Sequence, residues 1–126
     1  MYIFKRNVFF NNLYTLIKIW DFKSSNLIMS IDVPHPLITF TLDHVERNLF
    51  IADSTGRISK KSLIHSLQNS DHGQVDVCTD KKIDDICISS DSNYLFACSE
   101  NILLQYDSNT LQMLKSLNYS SNLKQR

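Results

Sequence analysis

Glycine and proline are scarce in this sequence, with two of each among 126 residues. Their scarcity excludes collagen-like chains and the low-complexity class rich in these residues. It also removes the residues that tight turns usually use, so other small polar residues must form the turns. Asparagine meets that need between apolar segments, at Asn11, Asn12, Asn26, Asn48, Asn93, Asn101 and Asn109.

The chain also lacks a net charge and a long apolar run. Thirteen Lys and Arg balance thirteen Asp and Glu, which leaves no long-range field to attract nucleic acid or an anionic membrane. No segment approaches the roughly 20 apolar residues that span a bilayer. A hydrophobic content of 43% is too high for an intrinsically disordered chain. We therefore expect a folded protein without a membrane partner.

Residues for catalysis or metal binding are few. The cysteines Cys78, Cys87 and Cys98 are odd in number and match no zinc or redox spacing, which favours buried thiols in a reducing compartment. The four histidines fall in predicted loops with no cysteine beside them. We expect no enzyme activity, no catalytic residue, no metal, no cofactor and no small-molecule substrate.

What the sequence does contain is a repeat of about 43 residues, the spacing of four-stranded repeat units. Residues 16–33 and 102–117 each consist of an apolar strand, a polar turn and a second strand, a pattern that predicts a β-hairpin. In each hairpin the first strand ends on an aromatic residue followed by aspartate: Trp20, Asp21, Tyr106 and Asp107. The two pairs lie 86 residues apart, so one further copy is expected midway between them.

The middle copy is present at residues 57–63, with Lys61 and Ser62 in the place of the aromatic residue and aspartate. Together with the strand pairs that precede the hairpins, this predicts four-stranded units at residues 37–78 and 83–118. We predict three segments along the chain: a non-repeat N-terminal segment, a repeat region and a tail, at residues 1–12, 13–118 and 119–126.

The segment IKIWDF at residues 17–22, followed by LIMSI at residues 27–31, resembles WD-repeat proteins. The resemblance extends over residues 15–118. It implies an all-β fold, a partial WD-repeat β-propeller of about two and a half four-stranded antiparallel blades. It also implies a protein that binds other proteins rather than a catalyst.

A closer resemblance concerns one blade. Residues 42–51 (LDHVERNLFI) and 54–58 (STGRI) look like a blade of the WD repeat-containing protein 18 family, which also has an insertion where residues 65–74 lie. The turn pattern of that family is matched by Asp43, Glu46 and Arg47. The resemblance implies a scaffold subunit of a nuclear complex for pre-rRNA processing and large ribosomal subunit maturation, located in nucleolus and nucleoplasm. Its partners would be other proteins of the assembly, with an indirect association with pre-ribosomal RNA.

Partner binding is expected on loops, because packing uses the strands. The turns at residues 53–57 and 99–101 are predicted on one rim, and the longer insertion at residues 65–74 on the other. The candidate contact residues are Asp53, Thr55, Arg57, His65, Asn69, Asp71 and Glu100.

Three other interpretations stay open. The chain could be a generic WD-repeat adaptor of another complex, with a cytoplasmic location. It could be an RNA-contacting module, which the neutral charge disfavours. It could also be a truncated propeller without function, because uncovered sheet faces and edges favour aggregation.

Overall fold

In the computed structural model the described residues are 2–8, 13–21, 24–63 and 74–119, and within them the regular structure is entirely β. The strands form three antiparallel sheets. This confirms the all-β prediction. In chain order the strands are β1 (Tyr2–Val8), β2 (Leu13–Asp21), β3 (Asn26–Asp32), β4 (Leu37–Leu42), β5 (Asn48–Asp53), β6 (Arg57–Ser62), β7 (Gln74–Cys78), β8 (Asp85–Ile88), β9 (Tyr94–Cys98), β10 (Ile102–Asp107) and β11 (Met113–Asn118).

The chain divides into two compact units, Met1–Leu37 and Ile38–Arg126. The first unit contains a sheet of order β1-β2-β3, here called the first sheet. Tyr2 pairs with Trp20 and Val8 with Leu13. The N-terminal segment, predicted to lie outside the repeat, therefore adds a strand to the expected hairpin, while the segment boundaries stay a prediction.

The second unit contains two four-stranded sheets. The middle sheet has the order β4-β5-β6-β7, and the last sheet runs β11-β10-β9-β8, so each is a meander of sequence neighbours. Their bounds agree with the units predicted at residues 37–78 and 83–118. Alternation of apolar residues sets the register, because a slip by one residue would turn every buried side chain to the other face.

A shared core joins the middle and last sheets. Phe50, Ala52 and Ile58 of the middle sheet pack in one cluster with residues of the last sheet. The members from the last sheet and from the segments that flank its strands are Ile83, Ile86, Leu95, Ala97, Leu104, Tyr106 and Leu111. The two sheets therefore pack face to face, which explains why the face of the middle sheet that carries Phe50, Ala52 and Ile58 is apolar.

Polar contacts border this core. The Lys60 ammonium donates to the carbonyl of Asn109 at 3.2 Å, and burial lowers the pKa of Lys60. The Thr39 hydroxyl lies 3.5 Å from the Asp85 carboxylate. These bonds fix the orientation of the two sheets, since a half-buried ammonium needs an acceptor.

Candidate interaction surfaces

Turns collect at two opposite ends of the middle and last sheets, because successive strands in a meander reverse direction. One end, here called the Asp43 rim, carries the turns at residues 43–47, 89–93 and 107–112. The other end, the Asp53 rim, carries the turns at residues 53–57 and 99–101. Side chains on the rims are the exposed polar groups that strand packing leaves for a partner.

A buried carboxylate closes the first turn of the Asp43 rim. Asp43 is 6% exposed, and it accepts hydrogen bonds from the Arg47 amide at 2.8 Å and from the Asn48 amide at 3.2 Å. The Asn48 side-chain amide donates to the other carboxylate oxygen at 2.8 Å. Glu46 lies at a φ of 57°, in the left-handed region. The turn is therefore held in one conformation by side-chain bonds in place of glycine.

This turn presents an exposed surface. His44, Val45, Glu46 and Arg47 are all exposed, and Val45 has 64% of its surface open to solvent. The His44 amide donates to the Ser92 hydroxyl at 3.0 Å, which ties the turn to the last sheet. An exposed apolar side chain on a fixed turn is a feature of contact surfaces, since binding then orders little of the backbone.

The neighbouring turn of the Asp43 rim is fixed in the same way. Asp91 accepts from the Ser89 hydroxyl at 2.6 Å and from the Asn93 amide at 3.0 Å. These bonds, the Ser89 bond first, lower the pKa of the exposed Asp91 carboxyl. Ser108 is buried, and its hydroxyl donates to the Ser92 carbonyl at 2.6 Å. The rim is thus a continuous, internally bonded surface across both sheets.

On the Asp53 rim the candidate residue Asp53 has an internal role. It is 3% exposed and accepts from the Thr55 amide at 2.9 Å, from the Thr55 hydroxyl, and from the Arg57 amide at 3.3 Å. A carboxylate that is buried and bonded to three internal donors closes its turn and cannot reach a partner. Of this turn's predicted contacts, the exposed one is Thr55.

Gly56 joins this turn to the segment that leads into the last sheet. Its φ is +85°, and a Cβ at this position would lie 2.6 Å from the Lys81 carbonyl oxygen. The Thr79 amide and hydroxyl both donate to the Gly56 carbonyl at 2.9 Å. Only glycine satisfies the positive φ and the close approach together.

Arg57 lies partly buried beside β7. Its side chain hydrogen-bonds Cys78, which together with the charges of Asp76 and Asp53 raises the pKa of Arg57. Its Nε is buried and has no hydrogen-bond partner within the described part of the chain. Arg57 therefore contributes to the sheet, with less of its side chain free for a partner than the sequence predicts.

The remaining predicted contacts have different outcomes. Glu100 is exposed in the β9–β10 turn, where a partner could reach it. His65, Asn69 and Asp71 lie outside the described residues, so the role of the insertion at residues 65–74 stays a prediction. The rim surface formed by His44, Val45 and Arg47 was not among the predicted contacts. In the sequence this turn stands out only through its resemblance to the family pattern, although a valine between polar residues is also a signal of an exposed turn.

The repeated motif residues occupy equivalent places in the first and last sheets. The β2–β3 pairing shifts between Ile19 and Trp20, and the β10–β11 pairing shifts between Gln105 and Tyr106. A β-bulge thus marks the motif in both sheets. The Asp107 carboxylate accepts from the Asn109 and Thr110 amides at 2.8 and 3.1 Å and starts the hairpin turn. Asp21 ends β2 at the equivalent position.

The described ranges contain no group of three His, Cys, Asp or Glu side chains arranged to hold a metal. Across the same ranges, no helix is long and apolar enough to cross a membrane.

The comparisons with known proteins concern the fold. No family model and no curated protein matches the sequence. Among solved structures, the chain is similar to hydrazine synthase from Kuenenia stuttgartiensis, with a TM-score of 0.70 and 11% identity, over 84% of this chain and 30% of that one. It is also similar to the dihydro-heme d1 dehydrogenase NirN in complex with DHE, with a TM-score of 0.66 and 14% identity, over 82% of this chain and 22% of that one.

At these identities the likeness shows the fold alone, and both structures are β-propeller proteins. The chain spans less than a third of the length of either one. Both are enzymes, but a shared fold does not transfer a catalytic site.

Proposed function

We propose that this chain is a non-catalytic protein-interaction scaffold built from WD-type propeller blades, with the Asp43 rim as its main contact surface. The observation that carries the proposal is the turn at residues 43–47. Two backbone amides and the Asn48 side chain donate to the buried Asp43 carboxylate and fix the turn, while Val45 and its neighbours stay exposed. A preformed turn loses little conformational entropy on binding, which favours recognition of another protein.

The three sheets support the blade interpretation. Each is antiparallel, two are four-stranded meanders, and the bulge at Trp20 recurs at Tyr106. On this interpretation the chain contributes about two and a half blades, with the first sheet as the incomplete one.

The more specific proposal is a subunit of a nuclear complex for pre-rRNA processing and large ribosomal subunit maturation. It depends on the sequence resemblance at residues 42–51, whose turn is the one that the Asp43 carboxylate closes. The neutral charge favours contact with proteins of such a complex over direct contact with RNA. The alternative is an adaptor of another complex that uses the same rim.

Affinity purification of the full-length protein from cells tests the rim. The variant Val45→Asp/Arg47→Glu keeps the Asp43 carboxylate, since only the backbone of Arg47 bonds to it. We expect recovery of partner proteins to fall by more than about tenfold, the result of losing roughly 1.4 kcal/mol of binding free energy or more. The control Lys82→Glu changes an exposed charge away from this turn. Equal recovery by both variants and the wild type would refute the rim proposal.

Depletion of the protein tests the process separately. If the protein takes part in pre-rRNA processing, we expect its depletion to make precursors of large-subunit rRNA accumulate, and we expect the tagged protein to lie in the nucleus. A cytoplasmic signal with normal precursors would refute this assignment and leave the general scaffold, because the rim result does not depend on the compartment.

A further inference from the structure

Lys60 is a cation at the junction of the middle and last sheets, here called the seam. It lies two residues beyond Ile58 on β6, so both side chains point to the face that packs on the last sheet. Ile58 is fully buried, whereas Lys60 lies nearer the Asp43 rim and is half-buried. Its ammonium donates across the seam to the Asn109 carbonyl at 3.2 Å. This side chain therefore joins the middle sheet to the β10–β11 turn.

Two carboxylates of the rim act on this ammonium through their charges. Burial lowers the pKa of Lys60, and the charges of Asp43 and Asp107 raise it by less. Each carboxylate also accepts a hydrogen bond from a backbone amide of its own turn. Lys60 thus reaches the neutral amine form more readily than an ordinary lysine. The neutral form is the reactive one, because a protonated nitrogen has no free electron pair with which to attack an electrophile.

The repeat shows that an uncharged amide is compatible with this position. Lys60 pairs with Phe50, and Gln105 pairs with Phe96 in the last sheet, so Gln105 occupies the equivalent place one repeat later. It is half-buried, as Lys60 is. An acylated lysine ends in the same kind of group as glutamine, an uncharged polar amide. Acylation of Lys60 therefore removes a charge without introducing a group that the sheet cannot accommodate.

We propose that Lys60 is a site of Nε-acylation by small acyl thioesters, and that acylation releases the β10–β11 turn from the middle sheet. The amine nitrogen attacks the thioester carbonyl carbon, a C–N bond forms as the C–S bond breaks, and the leaving thiolate takes up the proton that the nitrogen loses. Acylation removes the positive charge beside Asp43 and Asp107. It also leaves one neutral N–H, which bonds the Asn109 carbonyl more weakly than a charged ammonium does.

Acetyl-coenzyme A tests the site on the wild-type protein. At about pH 8 ordinary lysines are almost wholly protonated, so differences in the neutral fraction control the rate. Lys61 is the matched control, because it follows Lys60 on β6 and points to the opposite face. By mass spectrometry we expect Lys60 to be acetylated at least about threefold faster than Lys61, since burial favours the neutral amine. An equal or lower rate at Lys60 would overturn the proposal.

Hydrogen exchange tests the release of the turn without any partner. The Ser108 and Leu111 amides donate to backbone carbonyls and report on the β10–β11 turn. After acetylation we expect both to exchange at least about threefold faster, because local opening costs less free energy. The Lys60→Arg variant keeps the positive charge and lacks the reactive amine, so the same treatment should leave its exchange unchanged. Constant exchange in the acetylated wild type would refute the release.

The effect on partners rests on the rim function proposed above, and affinity purification separates the two. Lys60→Gln imitates the acylated side chain, and we expect it to recover rim partners about threefold less well than Lys60→Arg. Equal recovery by these two variants, with a loss in Val45→Asp/Arg47→Glu, would refute this regulation of the rim. If Val45→Asp/Arg47→Glu loses nothing, the rim function itself is refuted, and the acetylation rates and the exchange data decide the inference alone.

Discussion

At the scale of single residues, two positions hold the second unit together. One excludes a side chain, and the other needs a large aromatic ring. Gly56 is one, since its positive φ and its approach to the Lys81 carbonyl both exclude a side chain. Tyr106 is the other, since its ring lies in the core between two sheets. The sequence marks Tyr106 as a motif residue. Gly56 is not marked, because its constraint comes from a segment 23 or more residues further along the chain.

Gly56→Ala should destabilise the protein by about 2 kcal/mol or more, the cost of a strained backbone plus a displaced carbonyl. Denaturant unfolding of both proteins measures the change. Ser54→Ala, an exposed position in the same turn, should change the free energy of unfolding by less than about 0.5 kcal/mol. Equal effects of the two substitutions would show that the turn does not approach residues 79–81.

Tyr106→Phe should change how stability depends on pH. Burial raises the pKa of Tyr106 in the folded state, so its contribution is complete below the ordinary tyrosine pKa. As pH rises past about 10, the unfolded chain ionises first and the folded state loses stability. The variant should lose less stability over that range, measured by thermal unfolding at stepped pH. Identical alkaline losses would contradict the buried position of the phenol.

At the scale of elements, the Asp43 carboxylate replaces the glycine that tight turns usually use. Asp43→Ala leaves the Arg47 and Asn48 amides without their acceptor, and we expect a loss of about 1–3 kcal/mol. Asp91→Ala, in the exposed turn of the neighbouring sheet, also removes an acceptor from a turn. Its effect should be smaller because water can replace an exposed partner. Chemical denaturation ranks the two variants, and the reverse order would contradict the burial of Asp43.

The strands of the second unit were predictable, and the turn chemistry was only partly so. Apolar alternation and the 43-residue spacing predict units at residues 37–78 and 83–118, a strand at residues 57–63 and a hairpin at residues 102–117, because each strand must bury one or both faces. These ranges lie close to the middle and last sheets, to β6 and to the β10–β11 hairpin. β11 starts at Met113 rather than Leu111, since Leu111 has a φ of 56° and turns into the core. The internal role of Asp53 was not predictable, because a turn aspartate has the same sequence signature whether it bonds to its own turn or to a partner.

β1 is not predicted, because residues 1–12 match no copy of the repeat. Asn11 and Asn12 are a turn signal before β2, but a turn signal alone does not show that Tyr2–Val8 pairs with that strand. Its pairing with β2 is a contact between segments that local composition does not encode.

At the scale of the whole molecule, repetition is the organising feature. The middle and last sheets have the same strand order and share one core. Their cross-strand pairs are also equivalent: Ile58 pairs with Val77, and Leu103 pairs with Leu117. Repeat units that cannot cover their own faces depend on neighbours for stability. Because packing occupies the strands, the contact surface proposed above lies on the rims.

A double-mutant cycle between Phe50 and Tyr106 tests this packing most directly. Both side chains are buried in the cluster that joins the two sheets, and each alanine substitution alone should cost about 3–5 kcal/mol. If the sheets share a core, the double variant should depart from the sum of the single losses by about 0.5–3 kcal/mol. The free energies of unfolding come from denaturant titration. Losses that add within about 0.5 kcal/mol would contradict the account, because the two residues would then belong to separate cores.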